Sequence, residues 1–447
     1  MDGAKAAVMT TAVPRPLLTV PDGVLLVVGM VVGAGIFKAP SIVAGNVPDG
    51  LTFALVWIAG GIASLCGALV YTELSGRFPE TGGEYRFLER AYGSGASFVF
   101  AWSRMTVVQT GAIAAVAYVL GDYAQQILSL GTRGAAIYAA LGVVALTALN
   151  LAGTPQSKNL QKVLSAGLLV ALAAVAVAGF LAPPPAEASV ATKPGAANLG
   201  LAMIFVLLTY GGWNEAAYIA GEVHEPRRNM LRILVGGTLA VTALYLVVNL
   251  SYYSALGLAG MRDSQAVAAD VMRRVAGDGG ATAIALLVCV SALTTMNAAF
   301  ITGARMNYAF GRDFRMLGFL GAWREAGSTP ANALMVQGAL TLLLVLAASF
   351  TPDGFSSMVA YTTPVFWTFF LACGVALFVF RARLGRPESF RVPLYPLVPL
   401  VFCGTSAYML VSSINYVRFA ASFGNAVLAG IVVMALGIPL YLRARRK

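Results

Sequence analysis

The residues with the plainest chemical meaning are glycines. Gly33-Ala34-Gly35 interrupts the first long apolar run, between Gly29 and Pro40. Glycine loses the most backbone entropy on ordering, so two glycines around one alanine weaken a helix there. In hydrocarbon an unwound backbone leaves polar groups unpaired, and such a break is tolerated only where it lines a cavity or meets a ligand. The half-helix that restarts near Ile36 and Phe37 aims its positive N-terminal end at that point, which suits a carboxylate. A second interruption lies far downstream, in Leu208-Thr209-Tyr210-Gly211-Gly212-Trp213-Asn214-Glu215. Carbonyls released there can accept an ammonium. Glycines in membrane helices also let neighbours pack closely, and either motif alone admits that reading. Two broken helices in corresponding positions of two halves point instead to a transporter's binding site.

The elements that hold these breaks must be membrane helices. The chain is 58% hydrophobic and 11% charged, against about 25% charged residues in an average soluble protein. Apolar runs of about 18 residues or more mark about twelve spans, an all-α polytopic fold. They fall at about 19–45, 51–77, 94–129, 134–152, 160–182, 197–222, 231–257, 279–306, 331–350, 356–381, 395–415 and 421–442. The breaks then lie in the first and sixth spans. The N-terminal stretch before the first run has no apolar signal region, so that run is expected to be a retained helix. With the N-terminus inside, the inner segments collect most of the lysines and arginines, among them Arg77, Arg86, Arg90, Arg227, Arg228, Arg312, Arg381 and Arg443. This bias predicts a multi-pass protein of the cell membrane with both termini cytoplasmic. It also accounts for the net charge of +11 without nucleic acid, for which aromatic stacking platforms are missing as well.

Other polar residues invite weaker readings. Ser291, Thr294 and Thr295 share one helix face and offer hard oxygen ligands suited to sodium; back-bonding to the preceding turn is the alternative. Arg104 and Glu215 are charges deep in apolar runs, either a charge relay or a structural pair, and pairing is the favoured reading. Lys38 is read as snorkelling outward, against the alternative of a cation beside a vestibule. Gln109 and Asn249 suit interhelical hydrogen bonds. The four cysteines lie in apolar runs without CxxC spacing, and the single histidine, His224, is not in a metal-binding pattern, so neither a disulfide framework nor a metal site is expected. A nucleotide-driven pump lacks its phosphate loop, and an enzyme lacks a nucleophile–base pair or metal constellation. A channel lacks a recognisable filter, while a nutrient sensor built on a transporter fold stays open.

The motifs resemble those of the amino acid–polyamine–organocation permeases. Gly33-Ala34-Gly35-Ile36-Phe37 is similar to their GSGIF signature, and Tyr210 to Asn214 matches the YGGWN run of their L-type amino acid transporter branch. Glu222 to Asn229, Asn297 to Asp313 and Thr329-Pro330 resemble that branch as well, so the likeness covers about 20–350. It implies the LeuT-type fold: a first five-helix repeat at about 19–182, an inverted second at about 197–381, and two further helices at about 395–442. A cytoplasmic tail (1–18) and a basic tail (443–447) flank them. It also implies secondary-active transport of an amino acid or related amine by alternating access, with exchange or uncoupled facilitation as alternatives. The substrate carboxylate would meet Gly33, Ala34, Gly35 and Ile36, with Phe37 beside them. The ammonium would meet carbonyls near Leu208, Thr209 and Gly211, with Tyr210 and Asn214 completing the set. No cofactor is implied beyond a coupling proton or sodium ion; the partners are the solute and the bilayer, and a partner subunit is left open. The sequence departs from the family pattern at Lys38, at Leu208, where an aromatic gate is usual, and at Leu168, where many members carry a lysine. Lys158 and Lys162 come earlier, near the cytoplasmic mouth, so proton coupling through that lysine is not carried over.

Overall fold

The computed structural model describes residues 19–78, 82–153, 158–183, 198–215, 223–324, 329–388, 390–419 and 421–444, with the side chains of 158–166, 226–227, 416–419 and 421–424 outside it. The N-terminal tail, the side chains of Lys158 and Lys162, Glu222 and the last residues of the basic tail therefore lie outside the described residues. In chain order the helices are α1 (Val20–Val31), α2 (Gly35–Gly45), α3 (Gly50–Arg77), α4 (Gly83–Tyr92), α5 (Ser94–Ser103), α6 (Gln109–Ile127), α7 (Gly134–Ala152), α8 (Lys158–Leu181) and α9 (Leu199–Thr209). They continue with α10 (Pro226–Asp263), α11 (Val267–Asp313), α12 (Ala331–Ala348), α13 (Gly354–Leu384), α14 (Leu397–Phe419) and α15 (Ala421–Arg443). A buried π-helical turn, Arg104–Val108, joins α5 to α6 within one span.

Among the described residues nine helices are long and apolar enough to cross a membrane, and α1 with α2 makes a tenth span bent by 52°. Shorter apolar helices at Gly167–Leu181 and Leu199–Thr209 stand where the fifth and sixth spans are expected. The protein is thus an all-α, multi-pass membrane protein. The helices sort into two packing groups. α10 lies along α1, α2 and α3, and α9 leans on α2 and α3. In the second group α6 packs on α7, α11 and α12, and α12 on α7. α8 touches both α10 and α11, while α14 and α15 pack on α13. Since spans alternate in direction, the start of α1, the end of α3, α4 and the end of α13 share one face, here the N-terminal face. The ends of α2 and α6 share the opposite face.

Local sequence sets the ends that matter for the site. α1 begins in a reciprocal cap: the Thr19 hydroxyl accepts from the Asp22 amide, and the Asp22 carboxylate accepts from the Thr19 amide, with Pro21 in the first turn,. α9 begins where the Asn198 Oδ1 accepts from the Leu201 amide at 3.0 Å,. α2 begins at the break itself, and no side chain among the described residues caps it.

Candidate functional site

The first break spans Val32 to Ala34. α2 opens at this gap with the amides of Gly35 and Ile36, while the Phe37 amide donates to the Ala34 carbonyl at 3.2 Å,. Inside α2, Pro40 cannot donate to the Ile36 carbonyl, which loosens the same turn further,. Phe37 is fully buried, its ring edge-on to Tyr123 with centroids 6.0 Å apart. The Tyr123 hydroxyl donates to the Phe37 carbonyl at 2.9 Å. At the far end Arg262 donates to the carbonyls of Ala44 and Val47 at 2.8 and 2.9 Å, a cation on the negative end of the helix,.

The second break follows α9. Tyr210 to Gly212 form a turn, and Gly212 sits at φ +117°, which only glycine adopts without strain,. The two breaks touch. A Cβ on Gly212 would lie 2.5 Å from the Met30 carbonyl oxygen, and one on Gly35 would lie 3.4 Å from the Thr209 side chain. Tyr245 of α10 ties them together, its hydroxyl 2.8 Å from the Val31 carbonyl and 3.0 Å from the Thr209 carbonyl. The Tyr210 hydroxyl donates to the Trp57 carbonyl at 3.1 Å, so this ring fastens the turn to α3. The Leu208 carbonyl accepts from the Gly211 amide at 3.0 Å, and the Leu208 side chain is half-buried.

Below the second break, toward the N-terminal face, lies a charge cluster. Arg104 makes a two-pronged contact with Glu215, at 2.8 and 3.0 Å, and reaches Glu84 of α4 at 3.5 Å. Glu84 also accepts from the Tyr71 hydroxyl at 2.8 Å and from the Asn214 amide at 3.1 Å. Asn214, expected among the pocket residues, thus has its amide donor turned to Glu84. Nearby, outside the spans, Tyr85 donates to Asp313 at 3.1 Å, and burial with Asp313 beside it pushes the phenol up to about 12.

The three hydroxyls of α11 have different surroundings. Thr294 donates to the Val290 carbonyl of its own helix at 2.8 Å, the back-bonding alternative. Thr295 faces the first break, with its side chain 3.9 Å from where a Gly33 Cβ would stand, and the buried Ser291 Oγ has no hydrogen-bond partner among the described residues. Among the described residues no group of His, Cys, Asp or Glu could hold a metal ion. Lys38 corrects the sequence reading: it does not snorkel outward but is buried against Asp122 at 2.7 Å. Burying a bare ammonium is costly, and a carboxylate within reach decides the geometry. Gln109 donates across helices to the Ala299 carbonyl at 2.9 Å, whereas Asn249 donates within its own helix to Tyr245. Leu168, in place of the family's lysine, packs against the core.

Several functional candidates escaped the sequence reading: Tyr245, Tyr123, Glu84 and Asp122. Asp122 carried a signal, an acidic residue near the end of an apolar run. The tyrosines carried none, because a buried tyrosine in a membrane helix reads as packing until its hydroxyl's partner is seen. Behind the second break a small aromatic cavity is lined by Leu207, Gly211, Trp213, Trp367, Phe370 and Phe402.

The profile of the Amino acid permease family matches residues 18–437. The chain is 26% identical over 430 residues to the Serine/threonine exchanger SteT of Bacillus subtilis, covering 94% of this chain and 95% of that one. It is 27% identical over 404 residues to the b(0,+)-type amino acid transporter 1 of Mus musculus, covering 88% and 81%. It is 26% identical over 431 residues to the Large neutral amino acids transporter small subunit 2 of Oryctolagus cuniculus, covering 93% and 78%. The profile match over residues 18–437 makes this all-α multi-pass chain, in which the break before α2 meets the turn after α9, a member of the amino acid permease family, within the amino acid–polyamine–organocation superfamily.

Proposed function

We propose that the protein is a secondary-active carrier of an amino acid or related amine across the cell membrane, working by alternating access. The observation that carries this reading is the apposition of two backbone breaks: the uncapped start of α2 faces the Thr209–Gly212 turn, and Tyr245 bridges both. The carboxylate meets the amides of Gly33, Ala34, Gly35 and Ile36, whose alignment suits negative charge. The ammonium meets carbonyls of Leu208, Thr209 and Gly211. Phe37 and Tyr210 fasten the breaks through their rings, and Asn214 links the site to the charge cluster below. The placement of the breaks supports two five-helix repeats at about 19–182 and 197–381, followed by two further helices. The arginines at the N-terminal face, including Arg77, Arg381 and Arg383, support cytoplasmic termini,.

Exchange of one amino acid for another is the favoured coupling, because SteT is named an exchanger. Sodium has support from Ser291 and Thr295, while Thr294 gives its hydroxyl proton to the Val290 carbonyl. Two relatives are transporter subunits or transporters of amino acids by name, and a second subunit for this chain is part of the same proposal. The test is uptake of radiolabelled serine into proteoliposomes that are empty, serine-loaded, or under a sodium or pH gradient. Serine-loaded vesicles are expected to accumulate label fastest. Failure of every proteinogenic amino acid and common amine under all conditions would overturn the proposal.

A further inference from the structure

Lys38 is 2% exposed. Its ammonium lies 2.7 Å from Asp122 Oδ2 on α6 and donates to Gln265 Oε1, just before α11, at 3.0 Å. One residue on from Asp122, Tyr123 holds the Phe37 carbonyl. Two consecutive residues of α6 therefore grip two consecutive residues of α2. α2 belongs to the group of α1, α3, α9 and α10, and α6 to the group of α7, α11 and α12. The grip joins the two groups on the face opposite the N-terminus. On the other side of the breaks the same span carries Arg104, which holds Glu215 beyond α9. The third span thus holds the first group by one ion pair above the site and another below it.

A rocking motion cannot open either face without lengthening the ion pair on that face. The physics of a buried pair suits this. Its attraction is strong while the site is dry and falls steeply once water enters, so the pair holds when closed and releases when wet. Such a pair adds little net stability over an apolar replacement, which argues for a positional role.

Resting on the alternating-access reading above, we propose that Lys38, Asp122 and Gln265 form a lock closing the face opposite the N-terminus, opposed across the site by Arg104 and Glu215. They are positioning residues that touch no substrate. The test uses the full chain with its native cysteines removed and spin labels at Leu51→Cys and Leu128→Cys, both exposed, in the first turn of α3 and just after α6, on that face. Distances between labels need no substrate, so the outcome is independent of the uptake assay. Lys38→Met with Asp122→Leu leaves no bare charge and is expected to keep the fold. The lock predicts a rise of about fivefold or more in the long-distance population, and Lys38→Asp with Asp122→Lys is expected to bring it back down. Glu215→Gln is expected to move the population the other way. A plain packing role predicts an unchanged distribution in the neutral double variant, and that result overturns the proposal, as does a reversed pair no better than the neutral one. Should neither double variant fold, Gln265→Ala decides: a smaller rise supports the lock, and no change overturns it.

Discussion

The first span contains two half-helices of similar length and opposite circumstances. α1 buries Gly23, Val27, Val28 and Val31 and packs mainly along α10, with Leu25, Leu26 and Gly29 exposed. α2 buries most of its length and is held at its start by Tyr123, in its middle by Asp122 and Gln265, and at its end by Arg262. The sequence explains the contrast. α1 is apolar nearly all round and carries a self-contained cap, so apart from the Val31 carbonyl at the break it asks little of its neighbours. α2 supplies a lysine, a proline and an uncapped start, each of which leaves something to be satisfied from outside. One half leans on a single neighbouring helix, and the other is gripped from several helices around the break.

The strongest way to break this comparison is at the fixed start. Gly35→Leu places a side chain against Thr209, and overpacking of up to ~3 kcal/mol corresponds to roughly 100-fold weaker serine binding with insertion and folding intact; normal affinity would refute a close-approach role. Next is the tie between the breaks. Tyr245→Phe strips the donor from two carbonyls, and about 1–2 kcal/mol of lost hydrogen bonding predicts roughly tenfold weaker apparent affinity in serine counterflow. Hydrogen exchange on the reconstituted protein sharpens the contrast directly: amides of Val27 to Val31 are expected to exchange about fivefold faster than those of Ala39 to Val43. The smallest effect is at the cap. Arg262→Gln loosens the end of α2 at a cost of about 1 kcal/mol, read as a drop of a few degrees in melting temperature.

The all-α architecture and the two breaks were legible because both rest on local rules: apolar run length and glycine's weakness in a helix. The apposition of Gly35 with Thr209 was within reach through the family likeness. The charge partners were not. Lys38 read as an outward-reaching side chain because its partner lies 84 residues on, in the third span, and long-range pairing leaves no periodic trace. Thr294 and Thr295 read as one site from helical spacing, but adjacent residues point about 100° apart: Thr295 turns toward Gly33, and Thr294 bonds back to Val290. Asn214 likewise followed the motif to the right neighbourhood but not to its partner, Glu84.

The central claim is that an amino acid sits where the two breaks meet. Hydrogen exchange of the reconstituted protein with and without saturating serine tests it most directly. Protection confined to residues 32–37 and 208–215 is the expected result. Protection elsewhere, or none at all while serine counterflow proceeds, would contradict it.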